Sequence, residues 1–180
     1  MNALRCELRK TSLGWLVVIA SARGLRWVSL SSTRENLWHQ VARRFPEVHW
    51  KPGTTSRQFL QGSGVPERGF AQWVEQVVEA VERPAQARRL PLDITGTPFQ
   101  KAVWDLLCDI PAGSVLTYGE LASRIGHPRA ARAAGSACGA NPIPFIIPCH
   151  RVVAAQGRLG GFGLGLDVKR ALLAREGVAV

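Results

Sequence analysis

Two short stretches decide where helices begin in the second half of this chain. Thr97-Pro98-Phe99-Gln100 offers a capping hydroxyl, a proline at the first helical position and a glutamine that can complete a capping box. Phe99, Val103, Leu106 and Ile110 then line one face, and Pro111-Ala112-Gly113 breaks the helix. Thr117-Tyr118-Gly119-Glu120 is a second capping box. It opens a short helix that turns Leu121 and Ile125 inward and that Gly126 can end in a left-handed cap. After His127-Pro128, residues 129–138 read as another helix. Two short helices around a tight glycine-containing turn make a helix-turn-helix.

The second helix of that pair is unusual in composition. At about 100° per residue, Ala130, Ala131, Ala134, Ala137 and Cys138 fall on one side, and Arg129, Arg132 and Ser136 on the other. The exposed side has little bulk apart from two arginines. Small residues let a helix backbone approach something closely, and arginines reach phosphates or enter a groove. The chain carries 23 basic against 13 acidic residues, a formal charge of +10. That sign favours an anionic partner, nucleic acid before an anionic membrane surface.

Residues 141–153 read NPIPFIIPCHRVV. The apolar run Phe145-Ile146-Ile147 leads into a proline, then directly into Cys149 and His150. Apolar surroundings alone would leave Cys149 an inert thiol, and an adjacent imidazole is one of the few ways to make it a thiolate near neutral pH. Beyond it, glycine occupies five of the nine positions 157–165. No Lys-Ser or Lys-Thr pair follows, so this is not a phosphate-binding P-loop. The glycines suit either a flexible turn or close approach of backbone to a ligand. Asp167 can cap a last helix that runs to about Glu176, with Gly177 as its stop and Val168, Leu172 and Leu173 as its apolar side. Glu176 sits where the helix dipole disfavours a negative charge by ~0.3–1 kcal/mol. Two readings stand on the residues alone: a frayed, solvated glutamate, or a carboxylate with a partner such as a histidine.

The first half reads as a small antiparallel sheet from residues 4–8, 15–20 and 25–30, with turns at Gly14 and Arg23-Gly24. A helix over 33–45 follows, capped by Thr33, with Leu37, Val41 and Phe45 inward and Pro46 as its end. Residues 51–66 read as a loop, and 70–81 as a helix burying Phe70, Trp73 or Val74, Val77 and Val81. The polar connector 83–91 divides the chain into an N-terminal α/β domain, 1–91, and a mostly α C-terminal domain, 92–180. Cys6, Cys108, Cys138 and Cys149 show no Cys-x-x-Cys spacing, so neither a zinc ribbon nor a thioredoxin-like motif is visible. Cys6, His39 and His49 lack ligand spacing and read as packing or surface residues. Nothing reads as a signal peptide, and no run approaches the ~18 apolar residues of a membrane span. The expectation is a reducing compartment with free thiols, cytoplasmic or, in a eukaryote, nuclear.

With these residues in hand, residues 92–177 closely resemble the C-terminal domain of O6-alkylguanine-DNA alkyltransferases, the methylated-DNA–protein-cysteine methyltransferases. The resemblance rests on PCHRV at 148–152, Asn141-x-x-Pro144, Tyr118, the alanine-rich helix around Arg132 and LLAREG at 172–177. Residues 1–90 resemble the family's N-terminal domain more loosely, in pattern and length. The second half is similar to the bacterial adaptive-response type, without that type's cysteine-rich domain.

The resemblance implies direct, single-use transfer of the alkyl group from O6-alkylguanine in double-stranded DNA, and from O4-methylthymine, to Cys149. It implies His150 as general base through a bridging water, Glu176 as the residue that orients it, and Asn141 as the joint between recognition helix and reactive segment. Arg132 would replace the extruded base in the stack, and Tyr118 would push the adjacent phosphate and face the guanine. His127, Arg129, Ser136, Pro144, Arg151, Val152, Gly160 and Gly161 fall on the surfaces expected to touch DNA or the flipped base. No cofactor, no metal and no membrane are expected, and the working form is a monomer. The sequence departs from many relatives at Gly160 and Phe162, where they carry serine or tyrosine, so a side-chain donor to O6 is missing there. Cys6 has no second cysteine partner for a structural zinc.

Overall fold

The computed structural model describes residues 4–46, 57–59 and 67–179. Strands β1 (Arg5–Thr11), β2 (Gly14–Ser21) and β3 (Gly24–Ser31) form an antiparallel meander. A short strand, β4 (Arg57–Phe59), pairs with the free edge of β1, giving the order β3-β2-β1-β4. That strand corrects the sequence reading of 51–66 as loop throughout; the rest of that stretch lies outside the described residues. Three residues among Gly, Ser, Thr and Pro carry too little periodicity to announce a strand.

The central strand, β2, is apolar from Trp15 to Ala20. Leu16 through Ala20 are all fully buried, because helices cover both faces of the sheet. On one face α1 (Arg34–Arg44) packs Leu37 and Val41, with Phe45, against Leu8, Val17 and Ile19. Thr33 caps α1 by accepting from the Asn36 amide at 3.3 Å. On the other face α2 (Glu67–Glu82) packs Phe70, Val74, Val77 and Val81 against Leu16, Val18 and Ala20. Alternation along the strand assigns odd and even positions to the two faces.

The second of these cores runs without a break into the C-terminal helices α3 (Pro98–Asp109), α4 (Tyr118–Arg124), α5 (Ala131–Gly139) and α6 (Leu166–Arg175). Both capping boxes form, Thr97 with Gln100 and Thr117 with Glu120. The buried face of α3 is rotated from the expected one. Val103, Trp104 and Leu107 are buried in the helix, while Phe99 and Leu106 are half-buried. The Trp104 indole donates to the Ala137 carbonyl of α5 at 2.9 Å, so Trp104 fastens α3 to α5. Helix α5 starts at Ala131, leaving Arg129 in the turn. Asp167 does not cap α6. Gly165, at φ 99°, is the capping residue, and Asp167 in the first turn pairs with Arg170 at 3.0 Å.

The edge of β3 joins the two halves. Leu25 N–H donates to the Pro91 carbonyl and Asp93 N–H to the Leu25 carbonyl, both at 2.8 Å. A side chain at Gly24 would place its Cβ 2.4 Å from the Pro91 carbonyl, so only glycine lets the connector lie there. Further along the same edge, Val28 N–H donates to the Pro142 carbonyl at 2.9 Å. The segment leading to Cys149 is thereby anchored on the sheet. Strands β5 (Leu116–Thr117) and β6 (Val152–Val153) pair in parallel and bring the start of α4 beside the residues that follow Cys149.

Candidate active site and nucleic-acid-facing surface

Cys149 opens a single 3₁₀ turn, Cys149–Arg151, at the end of a buried segment. Three prolines deny that segment regular secondary structure. Phe145, fully buried, is held at φ 75°, a conformation that costs on the order of 1–3 kcal/mol in a non-glycine residue. Asn141 supplies the order that backbone ladders do not. Its amide donates to the Ile147 carbonyl at 2.8 Å and to Cys149 Sγ at 3.1 Å, and its carbonyl accepts from Ile143 N–H at 2.9 Å. Because Asn141 directly follows the cap of α5, the helix and the thiol are fixed to each other.

Burial pushes the Cys149 thiol up, while the Asn141 hydrogen bond and the Lys169 charge pull it back part of the way. Burial pushes Cys138, which shares the same cavity, to about 12. Cys138 is therefore a thiol at neutral pH, and of the two sulfurs it is Cys149 that has a side-chain donor, Asn141, to favour its thiolate.

His150 is fully buried, with Nε2 3.2 Å from Glu176 Oε1. Burial lowers its pKa, against the pull of Glu176, and the ring is neutral near pH 7. The carboxylate requires a donor, so Nε2 carries the hydrogen and Nδ1 the lone pair. Nδ1 is buried with no hydrogen-bond partner among the described residues, which leaves it free to take a proton. Glu176 is not frayed: its side chain is inaccessible to solvent. Burial alone would raise its carboxyl, but the hydrogen bonds and charges of His150 and Arg151 hold it at about 2.

Arg151 departs from the expected placement on a DNA-touching surface. It is buried, donates to Glu176 at 2.7 Å through Nη2 and to the Ile110 carbonyl at 2.6 Å, and reaches the Pro84 carbonyl at 3.3 Å. It is the cation that fixes Glu176 and ties α3 and the connector to the reactive turn. Val152 is likewise inward, fully buried, with its carbonyl spent on Lys169. Neither residue faces outward, because the turn after Cys149 dives into the core to form β6.

The wall opposite Cys149 is the glycine-rich loop. Tyr118 Oη donates to the Gly161 carbonyl at 3.2 Å, and burial keeps this phenol protonated by raising its pKa. Gly160, at φ 67°, passes so near Tyr118 that an added Cβ would lie 3.0 Å from the ring. Tyr118, Gly135, Cys138, Gly139, Cys149, Gly161, Phe162 and Gly163 enclose a cavity of about 160 Å³. Pro144 lies outside it, in a larger groove of about 730 Å³ between β3 and the reactive segment; that groove also reaches Cys149.

Outside the cavity, His127, Arg129, Arg132 and Ser136 are all exposed on the turn and outer face of α5. His127 packs edge-on to Phe99 at 5.4 Å, and Ser136 Oγ donates to the Arg132 carbonyl at 3.2 Å. Lys169 is the residue that sequence reasoning missed. It is fully buried on the same side of α6 as Leu172 and Leu173. The signal was present: a lysine three and four residues before two core leucines shares their face. Among the described residues no cluster of three or more His, Cys, Asp or Glu side chains could hold a metal, and no helix is long and apolar enough to cross a membrane.

Comparison with known proteins places this arrangement. The family model of the 6-O-methylguanine DNA methyltransferase DNA-binding domain matches residues 98–178. The regulatory protein Ada of Salmonella typhimurium is 37% identical over 174 residues, 97% of this chain and 46% of that protein. A methylated-DNA–protein-cysteine methyltransferase of Methanosarcina mazei is 56% identical over 81 residues, 45% of this chain and 51% of that protein. The chain thus spans about half the length of these curated relatives. Among solved structures, Mycobacterium tuberculosis OGT in complex with DNA superposes with a TM-score of 0.68 at 34% identity, covering 94% of this chain and 90% of that one. With likeness along nearly the whole of both chains, in sequence and in fold, this protein belongs to the O6-methylguanine-DNA methyltransferase family.

Proposed function

We propose that this protein repairs double-stranded DNA by moving the alkyl group of O6-alkylguanine, and of O4-methylthymine, irreversibly onto Cys149. One arrangement carries the reading: Cys149 faces a small cavity directly behind α5, with Asn141 on its sulfur and the exposed Arg132 on the outer face of the same helix. A base must leave the duplex to reach such a cavity, at a cost of a few kcal/mol. Arg132 fills the gap it leaves, and contacts in the cavity offset the rest. Arg129, His127 and Ser136 lie where the backbone of that duplex would pass, and the net charge of +10 favours the approach.

The chemistry is displacement at an sp³ carbon, which suits a soft thiolate. The thiol proton passes through a bridging water to His150 Nδ1. Glu176, held by Arg151, stabilises the imidazolium. The S–C bond forms as the C–O6 bond breaks, and guanine leaves as an anion. Donors at its rim stabilise that charge: backbone N–H groups of residues 157–163, and the Tyr118 hydroxyl once it turns from the Gly161 carbonyl to the base. Gly160 and Gly161 let that backbone come close. The product is a thioether, which water does not cleave, so each molecule reacts once. Residues 92–180 carry DNA binding and the acceptor, residues 1–91 brace them, and a single chain suffices.

The test is stoichiometry. Titrating the protein with duplex bearing O6-methylguanine should give rapid loss of the methyl group that stops at one per protein molecule. Sustained turnover, on DNA or on an ester or peptide, would overturn the reading in favour of a cysteine hydrolase.

A further inference from the structure

Lys169 is a fully buried ammonium with no carboxylate partner among the described ion pairs. Its three hydrogens go to three backbone carbonyls: Val152 at 2.6 Å, Leu159 at 2.5 Å and Gly161 at 3.2 Å. That is its whole donor capacity. The three carbonyls are spaced along the segment that leaves Cys149, at strand β6, in the middle of the loop and on the cavity wall. Between residues 158 and 165 no helix or strand orders this loop. One cation does what a hydrogen-bond ladder does elsewhere. The Gly161 carbonyl accepts from both Lys169 and Tyr118, so the two walls of the cavity meet at one atom.

The charge balance is equally informative. Burying an unpaired cation is costly. In this core Glu176 is already shared by His150 and Arg151. The ionisable groups whose charge bears on Lys169 are the thiols Cys149, from the reactive turn, and Cys138, from α5. Tyr118 comes from α4 and is kept neutral by burial; His150, on which the Lys169 charge also bears, and Arg151 are both bonded to Glu176. Lys169 holds the Val152 carbonyl three residues past Cys149 and the Gly161 carbonyl on the cavity that Cys149 lines, so a thiolate formed at Cys149 is the anion it would balance.

We infer that Lys169 is a positioning residue for the alkyl-transfer site, holding the glycine-rich wall in place and serving as the counter-cation of the Cys149 thiolate. The inference assigns to a lysine on α6 the activation that adjacency alone suggested for His150, whose role is then to receive the proton. It rests on the proposed alkyl transfer, but its test uses no DNA.

Iodoacetamide alkylation of Cys149, read by peptide mass across pH, reports the thiolate. Lys169→Met keeps the stem and removes the charge. It should lower Cys149 reactivity at neutral pH about tenfold and move the profile to higher pH. Lys169→Arg should keep the profile near that of the wild type. A second measurement needs no variant. The chain has four lysines, Lys10, Lys51, Lys101 and Lys169, so the buried ammonium can be resolved by NMR. Capping Cys149 with iodoacetamide erases the anion and should make Lys169 lose its proton at lower pH. A folded Lys169→Met with an unchanged Cys149 profile, or a Lys169 titration that capping does not move, would overturn the inference. Failure to transfer methyl from DNA would instead overturn the proposed function and leave these readings intact.

Discussion

Replacing Asn141 with alanine removes three hydrogen bonds that nothing else in the segment can replace. The Ile143 N–H would lose its partner at 2.9 Å, while the Ile147 carbonyl would keep only the Cys149 N–H, and both residues are essentially inaccessible to solvent. Each buried backbone group left unpaired costs about 1–3 kcal/mol. The Ile143 N–H alone accounts for about 1–3 kcal/mol, an appreciable share of the roughly 5–15 kcal/mol that stabilises a typical domain. The sulfur also loses its donor at 3.1 Å, a contact that pulls the Cys149 thiol down. The variant should therefore be both less stable and less reactive. Urea unfolding followed by tryptophan fluorescence reads the first effect. Trp104, bonded to Ala137 near Asn141, is one of the six tryptophans that contribute to the signal. The rate of Cys149 alkylation by iodoacetamide reads the second. A stability loss under ~0.5 kcal/mol, the size of an ordinary surface substitution, would refute the reasoning, because it would mean the segment does not depend on Asn141.

Acid unfolding should expose Glu176. Its carboxyl is held at about 2 against an ordinary 4.5, so it favours the folded state on the order of 3 kcal/mol. Because the folded value is the lower one, that contribution is complete above about pH 4.5 and is lost as the pH falls towards 2; Glu176→Gln should flatten stability over that window. Gly160→Ala forces a Cβ to within 3.0 Å of the Tyr118 ring at φ 67°, so it should cost about 1 kcal/mol or more in thermal unfolding and slow methyl transfer by moving Tyr118. Arg132→Ala removes an exposed side chain, so stability should stay within ~0.5 kcal/mol. Base extrusion, followed with a fluorescent base analogue beside the lesion, should fall sharply.

The elements legible in the sequence were those whose signal is local. The capping boxes at Thr97 and Thr117 formed as written, because a cap is decided by residues three apart. The meander was visible in Gly14, Gly24 and the apolar runs beside them. The pairing of His150 with Glu176 could be posed from the helix dipole but not decided, since the two lie 26 residues apart in the chain. What escaped was non-local. Arg151 reads as a surface arginine until Ile110, Pro84 and Glu176 are brought around it. The spacing of Lys169 from Leu172 and Leu173 puts it on the buried face, but the three carbonyls that converge on it are set by the fold. Asp167 failed as a cap because Gly165, at φ 99°, starts α6 earlier. The deep face of α3 followed Trp104, whose indole needs the Ala137 carbonyl, and a period count does not see that acceptor.

The central claim is that Cys149 is a single-use alkyl acceptor. Intact-mass analysis after incubation with duplex DNA carrying O6-methylguanine tests it most directly. The account predicts a gain of one methyl group, mapped to the peptide containing Cys149 and absent in Cys149→Ala, which should still bind DNA. No gain in mass, or a methyl group found on Cys138, would contradict it.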